Sequence, residues 1–103
     1  MVTVRHNMEA RTPVIEIDLT KVSSSEELHN TLKEALGFPS FYGGNWNAFW
    51  DAITGLVDMP EILRLKGWSV FNRRLPDEAH QLSSCLEDLA RQYPMWSSKV
   101  EHL

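Results

Sequence analysis

The sequence is short of most of the equipment that catalysis, metal binding or export would need. Among 103 residues there is one cysteine, Cys85, so a disulfide framework is excluded. Flanked by Leu82 and Leu86, that lone thiol reads as a small core hydrophobe rather than a nucleophile. The histidines stand apart at 6, 29, 80 and 102, with no HxxxH or HExxH pair, and no metal site is expected. His29, on a predicted helix, reads as a partly buried or capping residue. No apolar run reaches 18 residues and the start of the chain has no signal-like apolar segment, which predicts a soluble, cytoplasmic protein with no membrane partner. Basic residues are the minority, ten Lys and Arg against fourteen Asp and Glu. The resulting charge of −4 disfavours nucleic acid and favours a basic protein or a cationic ligand.

The glycines and serines complete the list of exclusions. Gly43-Gly44-Asn45 lacks the Lys and Ser/Thr of a phosphate-binding loop and the spacing of a dinucleotide fingerprint, so turn geometry accounts for both glycines and no cofactor is expected. Serines at 23 to 25, 83 to 84 and 97 to 98 have no G-x-S-x-G context. With no base and nucleophile pair in view, the chain is not expected to be an enzyme.

What is present suffices for one folded domain: 43% of the residues are apolar and 10% aromatic. The domain is expected to span residues 1–103, with the weakly periodic residues 1–12 forming a loose arm. After Pro13, the alternation from Val14 to Leu19 predicts a strand. Ser24 and Glu27 have capping-box spacing ahead of a stripe of Leu28, Leu32, Ala35 and Leu36, which predicts a helix ended by Gly37. A second strand is predicted at residues 62–65 and one or two helical turns over 68–75. Pro76 then opens a long helix with Asp77 and Glu78 in its first turn and a core stripe of Ala79, Leu82, Leu86, Leu89 and Tyr93. A last edge strand is expected through Trp96, Ser98 and Val100. This order implies crossover connections, hence an α/β fold with a small three-stranded, mostly parallel sheet packed with helices.

The rest of the chain is organised around residues 41–55, FYGGNWNAFWDAITG. Asn45 caps a helix that Gly55 stops. Trp46, Phe49, Trp50, Ile53 and Leu56 fall on one side of it, extended by Ala48 and Ala52, while Asn47, Asp51 and Thr54 form a narrow opposite stripe. An ordinary solvated face would carry several Lys and Glu. This one carries a single carboxylate beside Trp50, and Trp50 can either cover the edge of the core or serve as an exposed anchor. The mixture suggests a surface made to meet a partner.

Residues 28–55, LHNTLKEALGFPSFYGGNWNAFWDAITG, resemble the corresponding stretch of the barstar family, intracellular inhibitors of barnase-type ribonucleases. The leucine-histidine opening of the first helix, the proline before two aromatics, the Tyr42-Gly43 turn, Asn45, the Trp50-Asp51 pair and the Thr54-Gly55 close fall in register. The resemblance extends more weakly from about Val14 to Tyr93. It implies a three-stranded parallel sheet packed with helices. It further implies that the loop and helix of residues 41–55 enter a ribonuclease's basic active site, where carboxylates imitate substrate phosphates.

By that resemblance the partner is a basic ribonuclease or related nuclease toxin, and the chain an inhibitor or immunity protein that is monomeric when free. Asp51 matches the family's main anchor, Trp50 its neighbour, Gly43 the turn that brings backbone close to the enzyme, and Asp88 a contributing acid of the last long helix. Phe41, Tyr42, Gly44, Asn47 and Thr54 complete the expected contact set. Asn47 stands where the family has a second interface aspartate, Phe41 replaces a contact tyrosine and Leu56 a tryptophan, changes that suit a target other than barnase. Two other readings stay open. One is a non-inhibitory binding module on the same fold, and the other a small enzyme with a site near Gly43, Asp51 and a histidine.

Overall fold

A computed structural model describes residues 11–103 of the chain. Three strands, β1 (Val14–Asp18), β2 (Ile62–Lys66) and β3 (Lys99–His102), form one parallel sheet in the order β1-β2-β3. Between them run α1 (Ser25–Leu36), α2 (Trp46–Gly55), α3 (Trp68–Arg74) and α4 (Pro76–Gln92). The α/β fold with a three-stranded parallel sheet is therefore as the sequence predicts. Most of the arm expected over residues 1–12 lies outside the described residues, whereas Arg11 and Thr12 are held in place. The Thr12 carbonyl accepts from Glu61 N at 2.9 Å.

Strand alternation sorts the sheet into two faces. Ile17, Leu63 and Leu65 are buried, with Ile15 and Val100 half-buried beside them against the helices. The opposite face carries a row in which Glu16 is in register with Arg64, and Arg64 with Glu101. Arg64 Nε donates to Glu101 Oε1 at 2.8 Å, so the central cation is paired across the β2–β3 ladder. The helices bury Leu28, Leu32, Phe49, Ile53, Phe71, Leu82 and Leu89 almost completely.

Local signals fix most helix ends. Ser24 Oγ accepts from Glu27 N at 3.1 Å, the forward half of the expected capping box. The return half goes elsewhere: Glu27 Oε1 accepts from Ser23 N at 3.0 Å and Ser23 Oγ at 2.6 Å. Those bonds hold the Glu27 carboxyl below its usual pKa, with Ser24 adding to the effect. Pro76 occupies the start of α4 with Asp77 and Glu78 in its first turn. At the far end of α3, Arg74 Nη1 donates to the Thr20 and Val22 carbonyls at 2.8 and 2.9 Å, tying that helix to the β1–α1 loop.

Two expectations need correction. The last strand starts at Lys99, so Trp96 and Ser98 precede it. Their polar groups are used in a turn instead: Trp96 N donates to Tyr93 O at 2.9 Å, and Ser98 Oγ to Pro60 O at 2.6 Å. Tyr93 and Trp96 stack with ring centroids 5.0 Å apart, closing that turn. Leu56, placed with the apolar side of α2, is 46% exposed. The helix ends at Gly55, and Leu56 sits at its C-cap, off the core stripe.

Arg11 accounts for how the three strand starts are held together. Its Nε donates to Met59 O at 3.0 Å, Nη1 to Met95 O at 3.1 Å, and Nη2 to Pro60 O and Ser97 O at 2.8 and 2.9 Å. One guanidinium thus satisfies carbonyls on both the α2–β2 and α4–β3 loops.

Gly67, between β2 and α3, is the position least tolerant of a side chain. Its φ is +73°, and an added Cβ would collide with Thr20 Oγ1 and come within 3.0 Å of Thr20 N. Gly67→Ala is expected to lower unfolding free energy by about 2–4 kcal/mol, combining left-handed strain with overpacking. Urea denaturation of the two proteins measures this directly.

Candidate protein-binding site

The ten residues of α2 serve the core and the surface at once. Asn45 caps the helix through Oδ1, which accepts from Ala48 N at 2.8 Å. Phe49, Ala52 and Ile53 are buried, whereas Asn47 and Asp51 are exposed on the other side. Thr54 belongs to that side too, but its hydroxyl donates to Trp50 O at 2.6 Å and is half-buried. Trp46 and Trp50 are both half-buried and packed on the core, which places Trp50 as an edge cover with part of its ring outward.

α4 lies beside α2, and together they form an open groove of about 550 Å³ lined by Trp46, Asn47, Trp50 and Asp51 from α2. Gln81, Cys85, Asp88 and Gln92 supply the α4 wall. Glu78 closes one end, accepting from Trp46 Nε1 at 3.1 Å and from Ser25 Oγ at 3.2 Å, so one carboxylate joins α1, α2 and α4.

The two carboxylates in the groove differ. Asp51 makes no side-chain hydrogen bond or ion pair among the described residues. Asp88 is paired with Arg91 one turn along α4, and both side chains remain substantially exposed. A partner's cation can therefore meet Asp51 without displacing anything, while at Asp88 it competes with Arg91. Burial, followed by the charge of Asp88, raises the pKa of Cys85, so this thiol stays neutral in the groove wall.

The loop ahead of α2 divides its aromatics. Phe41 is 75% exposed, whereas Tyr42 turns inward, its ring 4.7 Å from that of Phe38 and its hydroxyl 2.6 Å from His29 Nδ1. The two glycines also separate. Gly44 has φ +70° and needs the left-handed region; Gly43 does not, and an added Cβ there would make ordinary contact with Ala48. Phe41, Gly43, Gly44, Asn47 and Asp51 are exposed, and Asn47, Trp50, Asp51 and Asp88 share the groove. Tyr42 and Thr54 have their hydroxyls engaged internally. Gln81, Cys85 and Gln92 were missed as groove residues. Their spacing on α4 runs alongside the core stripe, and that periodicity was the available signal.

Beneath the loop, His29 is only 2% exposed, more deeply buried than the sequence suggests. Its ring meets Trp46 edge-on at 4.6 Å, and Nε2 has no hydrogen-bond partner. Burial lowers its pKa, with Glu78 opposing in part. The unfolded chain therefore binds a proton that the folded chain resists, so stability from this site is complete above about pH 6.5 and declines as pH falls below it. Tm is expected to drop on acidification from pH 7 to 5, and more weakly in His29→Gln; calorimetry across that range tests it.

Fold and site thus define a small α/β protein presenting a helix-borne carboxylate in an open groove. The chain matches the family described as Barstar (barnase inhibitor) over residues 12–102. It is 38% identical over 74 residues to a Bacillus subtilis (strain 168) protein named "Putative ribonuclease inhibitor YrdF", covering 72% of this chain and 81% of that one. The chain belongs to the barstar family. Among the described residues no three His, Cys, Asp or Glu side chains gather in a metal-binding group, and no helix is long and apolar enough to cross a membrane.

Proposed function

We propose that this protein inhibits a small basic ribonuclease by laying the 41–55 loop and helix, with the α4 wall of the groove, into the enzyme's active-site cleft. The observation that carries this reading is Asp51. Its carboxylate is exposed and free of internal partners, on a helix whose other side is buried in the core of a barstar-family chain. In a desolvated cleft lined by Arg, Lys or His, such a group makes charge-assisted hydrogen bonds in place of a substrate phosphate. A net charge of −4 adds attraction at long range and speeds encounter with a basic enzyme.

On this reading Phe41, Gly43, Gly44, Asn47 and Trp50 contact the enzyme around Asp51, while Tyr42 and Thr54 shape the surface from within. Asp88 joins by sharing its charge with Arg91. Asn47 offers an amide where a second carboxylate would add charge, so the target is a ribonuclease with less cationic demand at that point. The protein performs no reaction of its own, is monomeric when free, and acts in the cytoplasm as immunity against a cytotoxic ribonuclease.

The test is calorimetric titration into a panel of small basic ribonucleases, barnase included, with RNA cleavage assayed in parallel. One-to-one binding with loss of cleavage is expected for at least one enzyme. Asp51→Ala should weaken that complex by at least about 2 kcal/mol, roughly thirty-fold in Kd, with thermal stability unchanged. Binding of a partner without any effect on cleavage would instead support a non-inhibitory module, and equal binding by the variant would remove Asp51 as the anchor.

A further inference from the structure

β3 is an edge strand, with β2 on one side and no strand on the other among the described residues. Its bonds to β2 fall on alternate residues: Lys99 N donates to Glu61 O at 2.8 Å and Leu103 N to Leu65 O at 2.9 Å. By that alternation Lys99, Glu101 and Leu103 face β2, and the backbone groups of Ser98, Val100 and His102 point outward. Between β3 and α4 lies an open cavity of about 210 Å³ with Leu86, Ala90 and Val100 in its wall. An unpaired ladder beside an apolar hollow is a template for one more strand.

Charge decides which strand fits. Only the even-numbered residues have outward groups, so when β3 pairs antiparallel with the β3 of a second copy, even residues must face even residues. Three registers keep most of the strand. Centred on Lys99, the pairing sets Lys99 against Lys99; centred on Glu101, it sets Glu101 against Glu101, and like charges directly opposite are unfavourable. Centred on Val100, it sets each Lys99 opposite the other copy's Glu101, two favourable pairs from one two-fold axis. Lys99 is exposed, and Glu101 accepts from Arg64 through Oε1, which leaves Oε2 for the incoming ammonium. The other edge of the sheet has no such answer, because β1 paired with itself over its full length brings Glu16 against Glu16.

We propose that two copies of this chain pair antiparallel along β3, with Val100 on the two-fold axis and Lys99 of each copy against Glu101 of the other. Two three-stranded sheets thereby become one of six strands. The α4 flank beside β3 carries the small residues Ser83 and Ala90, and Glu87 on that flank is exposed to water. At 100° per residue Ser83, Glu87 and Ala90 lie roughly 160° around α4 from the groove-lining Gln81, Cys85 and Asp88. Pairing therefore leaves Asp51 open in both copies, and it stands independently of what the groove receives. A four-residue strand supports only a weak contact, with a dissociation constant on the order of 100 µM. The monomer proposed above is then the dilute form of the free protein, and the pair its concentrated form.

Sedimentation velocity of the full chain from about 10 µM to about 1 mM, with amide hydrogen exchange at both ends of that range, tests the pairing. The sedimenting species should grow from one chain toward two, and protection of the Val100 and His102 amides should rise with it. Lys99→Glu sets carboxylate against carboxylate and should weaken pairing about tenfold, as should Glu101→Lys, which sets ammonium against ammonium. An equimolar mixture of the two variants regains both opposite-charge pairs and should associate as the unmodified chain does. Thermal unfolding checks each fold; Glu101→Lys also loses the Arg64 bond, so the exposed Lys99→Glu is decisive if the other proves unstable. A chain that stays monomeric at the highest concentration overturns the proposal, as does a Lys99→Glu variant that pairs undiminished. Protection of Val100 and His102 that is equally high at both concentrations in a monomer means that the edge is covered within one chain, and overturns it too. Loss of pairing in Asp51→Ala would move the contact to the groove and overturn the strand register.

Discussion

What α2 can offer to a partner depends on what its other side buries. Phe49, Ala52 and Ile53 are almost wholly enclosed, and Phe49 also meets the rings of Trp46 and Phe38 at 5.3 and 5.8 Å. A helix of ten residues is marginal on its own, so packing rather than propensity holds it. The same packing removes rotational freedom from the outer stripe, and Asn47 and Asp51 are presented on a fixed surface. Rigidity of that kind is worth affinity, because a carboxylate already in place loses little freedom on binding.

The polar groups behind this surface are few and each does one connecting task. Glu78 links three helices through Trp46 and Ser25. The His29 and Tyr42 pair supports the loop that turns Phe41 outward. In this second case support is incomplete, since Nε2 of a buried imidazole lacks a partner. A proton added to His29 would leave a charged donor inside an aromatic cluster. The loop that carries the exposed phenylalanine therefore rests on a buried imidazole whose pKa burial holds below its usual value.

How much of this could be read from the sequence follows from the range of each interaction. Caps at Ser24 and Asn45, Pro76 at the start of α4 and the core stripes depend on residues within a turn or two, and all were legible. The groove was half legible. Its α2 wall came from the polar stripe, but on α4 the row of Gln81, Cys85, Asp88 and Gln92 was overshadowed by the stronger apolar stripe beside it. The inward turn of Tyr42 depends on His29, and the late start of β3 depends on Pro60 and Glu61, neither of which spacing reveals. Arg11 was read as part of a loose arm because its four acceptors come from loops 48 to 86 residues away. Local periodicity carries no information about such a contact.

That distance has a kinetic meaning. Arg64 and Glu101, partners across one ladder, are 37 residues apart, and in this parallel sheet no strand pairs until a helical crossover has been traversed. Loop closure therefore comes before reward, and such chains fold slowly for their size. The Arg11 clamp is complete only when the loop before β2 and the 93–97 turn lie side by side. An interaction absent at the folding barrier leaves the rate of folding nearly unchanged and slows unfolding instead, and contacts of such long range are the expected candidates. Arg11 then acts on the lifetime of the folded molecule more than on the speed at which it is made.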